Sequence, residues 1–250
     1  MMSAIRIFFL HLLFLVTVSG CRTIYQSRTL QYQTYRISAK QPADSSVYTL
    51  MKPYGDSVYK SMNDVVGYAE RNLDKIEPEC TLGNFMVDAF YYMAKEKYAT
   101  SIDVAFMNYG GIRLTQLPAG EVTRGKIFEL LPFDNVMVLQ KLKGDILQQF
   151  LDLIAEKGGW PVAGITMKIK NNKATEVMIG GKPLDKEKIY TTVNSDFVAN
   201  GGDNAEMLRS IPQITNGYLM RDAIFDYIKA LKKQGKKINS EVEGRVIYVK

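Results

Sequence analysis

Three short stretches hold the residues with most chemistry to offer. "MNYGGIR" (107–113) ends an apolar run on two glycines and an arginine. Gly110 and Gly111 let the backbone approach a ligand closely or take a positive φ. Asn108 can donate or accept a hydrogen bond, and Arg113 can clamp a phosphate or carboxylate. "LPFDN" (131–135) puts Phe133 at a helix-to-strand junction beside Asp134 and Asn135. "NSDFVANGGDN" (194–204) sets Phe197 ahead of the Gly201-Gly202 turn that carries Asp203. Each alone has an ordinary reading: a turn with a surface arginine, a core phenylalanine, an Asx turn. As a set they fit one ligand. Two aromatics at strand ends can sandwich a planar ring, at ~1–3 kcal/mol per stacked base. Asn135 can read the ring edge, Asp203 can accept from ribose hydroxyls, and Arg113 can face an anionic end.

Equally informative is the chemistry that is missing. The single histidine is His11, inside an apolar N-terminal run. Most di-metal phosphoesterase sites use several histidines, and a Ser–His–Asp triad or a Cys–His pair needs at least one in the folded domain. No G-x-x-x-x-G-K-[ST] and no G-x-G-x-x-G is present. Catalytic residues and metal ligands are therefore expected to be none. Cys80, the only cysteine after Cys21, has no histidine to activate it and reads as a small buried residue.

The elements that must position these loops follow from periodicity. Helices are expected from Pro53 (with Tyr54, Val58, Tyr59 and Met62 at helical spacing), over 82–97 with Thr81 as cap, over 126–130 after Thr123, over 144–156 and over 218–233. Strands are expected over 65–69, 102–107, 136–142, 165–170, 174–179, 189–194 and 245–249, with a Gly180-Gly181 turn, and "FVANGGDN" as a loop. An edge strand over 30–37 is a further option. Alternating strands and helices without an internal repeat point to one α/β domain with a mixed sheet.

The termini add context. Arg6 precedes an apolar run too short to span a bilayer comfortably, ending in Val18-Ser19-Gly20-Cys21. This resembles the bacterial lipobox: a signal peptide over 1–20, with Cys21 as the site of lipid attachment. The expected location is the bacterial cell envelope, anchored through the lipid, on the periplasmic side. Residues 21–46, polar and rich in Tyr, Ser and Thr, form a tether, and the domain occupies 47–250. With 46% hydrophobic and 23% charged residues, disorder is excluded. The net charge of +6 owes much to Lys229, Lys232, Lys233, Lys236 and Lys237, read as one solvated helix face. No recognition motif accompanies them, so no nucleic-acid partner is expected.

Beyond these readings, "MNYGGIR…AGEVTRGKIFELLPFDNVMVLQKLKGDIL", "YTTVNSDFVANGGD", the terminal "VEGRVIYVK" and "TLGNFMVDAF" resemble the C-terminal domain of the 5′-nucleotidase / UDP-sugar hydrolase family. The resemblance implies a four-layer α/β/β/α domain that binds the nucleoside part of a substrate. It also implies a separate metallophosphoesterase domain carrying two metals. By the same resemblance Phe133 and Phe197 are the stacking aromatics, Asn108 and Arg113 the contacts of the glycine turn, and Asp203 the ribose-binding aspartate; Asn135 fits an asparagine found in some members. Family arginines expected just before the LGN motif are Asn72 and Ile76 here, with Arg71 and Lys75 one residue away. The expected function is nucleotide recognition within a split phosphohydrolase, whose divalent metals sit on a partner metallophosphoesterase chain. The alternative is a nucleoside- or nucleotide-binding lipoprotein with no enzymatic partner.

Overall fold

Asp44 opens the first helix by accepting from the backbone N–H of Ser46 (2.9 Å) and Val47 (3.2 Å). This carboxylate cap starts α1 at Ser45, so α1 (Ser45–Met62) begins earlier than Pro53, which lies inside it. None of its side chains is buried. The computed structural model describes residues 29, 31–36, 38 and 44–249. The expected signal peptide and Cys21 lie outside them. The described residues belong to two units, divided between Tyr48 and Thr49. In the first, 31–36 are exposed and form no strand, so the expected edge strand is not seen among the described residues.

In the second unit the chain continues through β1 (Val65–Ala69), β2 (Leu73–Asp74), α2 (Thr81–Tyr98) and β3 (Val104–Phe106). It then forms β4 (Gln116–Leu117), β5 (Gly120–Thr123), α3 (Arg124–Leu130), β6 (Met137–Lys143) and α4 (Gly144–Glu156). Next come β7 (Val162–Ala163), β8 (Ile165–Lys170), β9 (Lys173–Ile179), β10 (Lys182–Pro183) and β11 (Ile189–Ser195). Last are α5 (Asp196–Ala199), β12 (Gln213–Ile214), α6 (Met220–Lys233) and β13 (Val246–Tyr248).

Several of these ends correct the sequence reading. The cap of α2 is Cys80, whose Sγ accepts from the N–H of Gly83 at 3.3 Å. Thr81 is engaged elsewhere, its Oγ1 accepting from the N–H of Asp74 at 2.8 Å. The stretch read as a loop after Asn194 contains α5, capped by Ser195 Oγ on the N–H of Val198 (3.3 Å). Helix α6 starts at Met220 instead of Tyr218, since the Tyr218 carbonyl accepts from the N–H of Met137 at 2.8 Å.

The larger sheet has the order β12-β6-β11-β3-β7, and a second has the order β10-β9-β8-β13; both mix parallel and antiparallel pairs. Two-stranded pairs β1-β5 and β2-β4 flank them. Because side chains alternate along a strand, each central strand serves two cores. In β3, Ala105 joins a cluster with α2 and α6, while Val104 and Phe106 join one with α4 and the second sheet. In β6, Met137 and Leu139 face the first and Leu142 the second. The result is a mixed α/β fold in α/β/β/α layers, with Cys80 free and buried.

Candidate functional site

Strand register brings the three loops together. β11 runs parallel to β3, with Val193 opposite Ala105, and antiparallel to β6, with Ser195 opposite Met137. The C-terminal ends of β3 and β11 and the N-terminal end of β6 therefore meet at one edge of the sheet. The loop after β3 carries Asn108 and Arg113, the segment before β6 carries Phe133 and Asn135, and the segment after β11 carries Phe197 and Asp203. These six residues line one cavity of about 350 Å³, together with Met107, Gly110, Gly111, Leu131, Ser195 and Met220. Phe133 and Phe197 are only half-buried, at 48% and 46% exposure, which leaves ring surface turned to the cavity.

The polar groups are held in place locally. Asn108 Nδ2 donates to Asp203 Oδ2 at 2.7 Å, joining two of the three loops. Asp203 sits at φ 54°, ψ 33°, in the left-handed region, which costs a residue with a Cβ roughly 1–2 kcal/mol. The bond from Asn108 offsets part of that cost. Arg113 Nη1 donates to the Gly110 carbonyl (3.2 Å), and its guanidinium lies 5.8 Å from the Phe133 ring centroid.

Of the two roles open to Gly110 and Gly111 in the sequence, a positive φ is not the one taken. Tyr109–Gly111 is a 3₁₀ turn, and neither Gly110 nor Gly111 takes a positive φ. A Cβ on Gly110 would meet open space, whereas one on Gly111 would lie 2.5 Å from Met107 Cε and 2.8 Å from Asn108 Oδ1. Gly201 does take a positive φ, at 90°. A Cβ on Gly202 would lie 2.5 Å from the Phe197 ring and 2.6 Å from its carbonyl oxygen. Close packing under the ring requires glycine there.

Two supporting residues escaped the sequence reading. Asp196 Oδ1 accepts from Asn135 Nδ2 (3.1 Å), from the N–H of Val136 (3.0 Å) and from that of Phe197 (2.9 Å). One carboxylate thus ties both aromatic loops. Its place directly after a strand and before Phe197 is the only local signal it carries. Arg221, at 7% exposure, donates to the carbonyls of Leu131 (3.2 Å) and Phe133 (3.4 Å) and pairs with Asp134. Nothing near Arg221 in sequence points to "LPFDN", because the contact depends on how α6 crosses the sheet edge.

The positions before the LGN motif also resolve. Asn72 Oδ1 accepts from the N–H of Ala119 (2.8 Å), Ile76 is exposed, and Arg71 pairs with Glu241 (3.0 Å). Lys75 instead reaches the glycine turn: its Nζ donates to the Ile112 carbonyl (2.8 Å) and lies 4.0 Å from the Tyr109 ring centroid. Burial, and then the charge of Arg113, push its pKa down. Two cations that repel each other beside one turn are a favourable setting for an anion.

Among the described residues, no group of three or more His, Cys, Asp or Glu is placed to hold a metal ion. No described helix is long and apolar enough to cross a membrane.

Comparison with known proteins gives the family of this fold. The model for the 5′-nucleotidase C-terminal domain matches residues 57–210. A trifunctional nucleotide phosphoesterase protein of Bacillus subtilis is 32% identical over 206 residues, covering 74% of this chain and 14% of its own length. A 5′-nucleotidase of Vibrio cholerae is 26% identical over 199 residues, covering 75% of this chain and 34% of its own. The crystal structure of a 5′-nucleotidase precursor from Thermus thermophilus superposes with a TM-score of 0.70 and 26% identity. It covers 83% of this chain and 44% of its own. The chain thus spans less than half of each of these relatives. With the family model matching more than half of the chain and the fold in agreement, it belongs to the 5′-nucleotidase C-terminal domain family.

Proposed function

We propose that this domain recognises a nucleoside or nucleotide for a split 5′-nucleotidase-type phosphohydrolase. The base sits between Phe133 and Phe197, Asn135 reads its edge, Asp203 accepts from ribose hydroxyls, and Arg113 with Lys75 faces the phosphate. A metallophosphoesterase chain supplies the divalent metals and the activated water, while this domain supplies orientation. The observation that carries the reading is the convergence of all six residues on one cavity with two half-exposed rings. In the same reading the chain is a lipoprotein of the bacterial envelope held through Cys21. Replacing Cys21 with Ser should then move the protein from the membrane to the soluble fraction; unchanged fractionation counts against the anchor.

The test is calorimetric titration of the protein with adenosine, AMP, UMP and UDP-glucose. Micromolar-range binding that Phe133→Ala and Phe197→Ala each weaken roughly tenfold is expected, since one stacked base contributes ~1–3 kcal/mol. Adding the protein to a metallophosphoesterase encoded beside it should lower that enzyme's KM for nucleotides. Binding that neither phenylalanine affects would overturn the site, and an unchanged KM would overturn the partnership.

A further inference from the structure

A second groove opens away from the nucleoside cavity, between β1, the start of α3 and the outer face of α6. Its volume is about 490 Å³. Arg124 stands at its wall as the first residue of α3, with Lys229 and Lys232 along α6. The Arg124 guanidinium lies 5.1 Å from the Phe225 ring centroid, and its Nε is buried without a hydrogen-bond acceptor among the described residues. The Nη groups of the same guanidinium, which are not buried in this way, also meet no acceptor among the described residues and are open to one from outside.

The carboxylates in the groove do not meet that need. Asp226 is taken by Lys97 (2.7 Å) and by the Tyr218 hydroxyl (2.8 Å), and Asp222 lies within ion-pair distance of no described cation. Three cations face two carboxylates, one of which is already neutralised by a fourth cation from outside the lining. Lys229 and Lys232 are exposed and therefore free to turn inward.

We propose that this groove binds a phosphate group, with Arg124 as its fixed anchor and Lys229 and Lys232 as mobile flanking charges. The two Nη groups of arginine form a fork matched to two oxygens of one phosphate, and the Phe225 ring lies beside the guanidinium, 5.1 Å away. A phosphate, singly charged in a lipid diester and up to doubly charged as a free ion, spreads its charge over more oxygens than a carboxylate does and so can engage the flanking lysines as well as Arg124. The phosphate can belong to a free ion or to a lipid headgroup; the recognition chemistry is the same.

Line broadening in phosphorus NMR of inorganic phosphate reads the free-ion arm. Co-sedimentation of the Cys21→Ser protein, which carries no lipid of its own, with phosphatidylcholine vesicles, with and without phosphatidylglycerol, reads the headgroup arm. Arg124→Gln and the double substitution Lys229→Gln/Lys232→Gln are compared with wild type and with Arg113→Gln, which controls for phosphate entering the nucleoside cavity. Binding in either arm that falls at least about tenfold in Arg124→Gln and in the lysine double variant, but persists in Arg113→Gln, supports the site. Binding in neither arm, binding indifferent to Arg124 and the lysines, or binding lost only in Arg113→Gln overturns it. The lysines are exposed, so their double variant keeps the test decisive if Arg124→Gln fails to fold.

Discussion

Asp196 shows how one side chain can set the geometry of a site it does not line. Its Oδ1 collects three donors from both aromatic loops, and each donor left unmet costs about 1–3 kcal/mol if it stays dry. Asp196→Ala should lower the melting temperature and weaken adenosine binding together. Asp196→Asn keeps an acceptor at the same place and should retain most of both. Equal damage from the two substitutions, measured by thermal melts and calorimetry, would show that charge matters and not position. At this scale the sequence was informative where residue type is itself the signal: Asn108, Arg113, Phe133, Asn135, Phe197 and Asp203 all reach the cavity. It was silent where the signal is a long-range contact. Arg221 looks like any basic residue on an amphipathic helix until α6 is laid against Leu131 and Phe133.

At the level of elements, the five-stranded sheet is shared property. Phe85 on α2 packs in the first core, while Phe150 on α4 and Trp160, the only tryptophan, pack in the second, with Phe150 and Trp160 edge-to-face at 5.8 Å. A sheet common to both cores should couple their unfolding. Phe85→Ala, at about 3–5 kcal/mol, should move the Trp160 fluorescence transition in urea by as much as the far-ultraviolet circular dichroism transition. Transitions that separate would mean two independent cores. The long helices and strands that build this arrangement were legible from their periodicity. Two-residue strands such as β2, β4, β7, β10 and β12 were not, because so short a pairing leaves no repeat to read. Caps failed for a related reason: Thr81 and Cys80 both have a cap's chemistry, and only the neighbouring Asp74 decides between them.

For the whole molecule, partly buried phenols oppose the fold at alkaline pH. Tyr218 is pushed far above its ordinary value of 10.0, first by burial, then by its hydrogen bond to Asp226 and by that carboxylate's charge. Tyr109 and Tyr227 are raised as well, in both cases chiefly by burial. The folded state thus keeps protons that the unfolded chain releases above about pH 10, so stability falls as pH rises through that value. Tyr218→Phe should flatten this fall between about pH 9 and about pH 11 in urea titrations, and an unchanged slope would remove Tyr218 from the account. The placement of the cavity carries a different kind of consequence. Asn108, Phe133, Phe197 and Asp203 all lie outside the strands, while the strands beneath them fill the two cores. On the proposed reading, ligand choice and foldability therefore rest on largely separate sets of residues. The three loops could then be exchanged to change what is captured without disturbing the architecture below them.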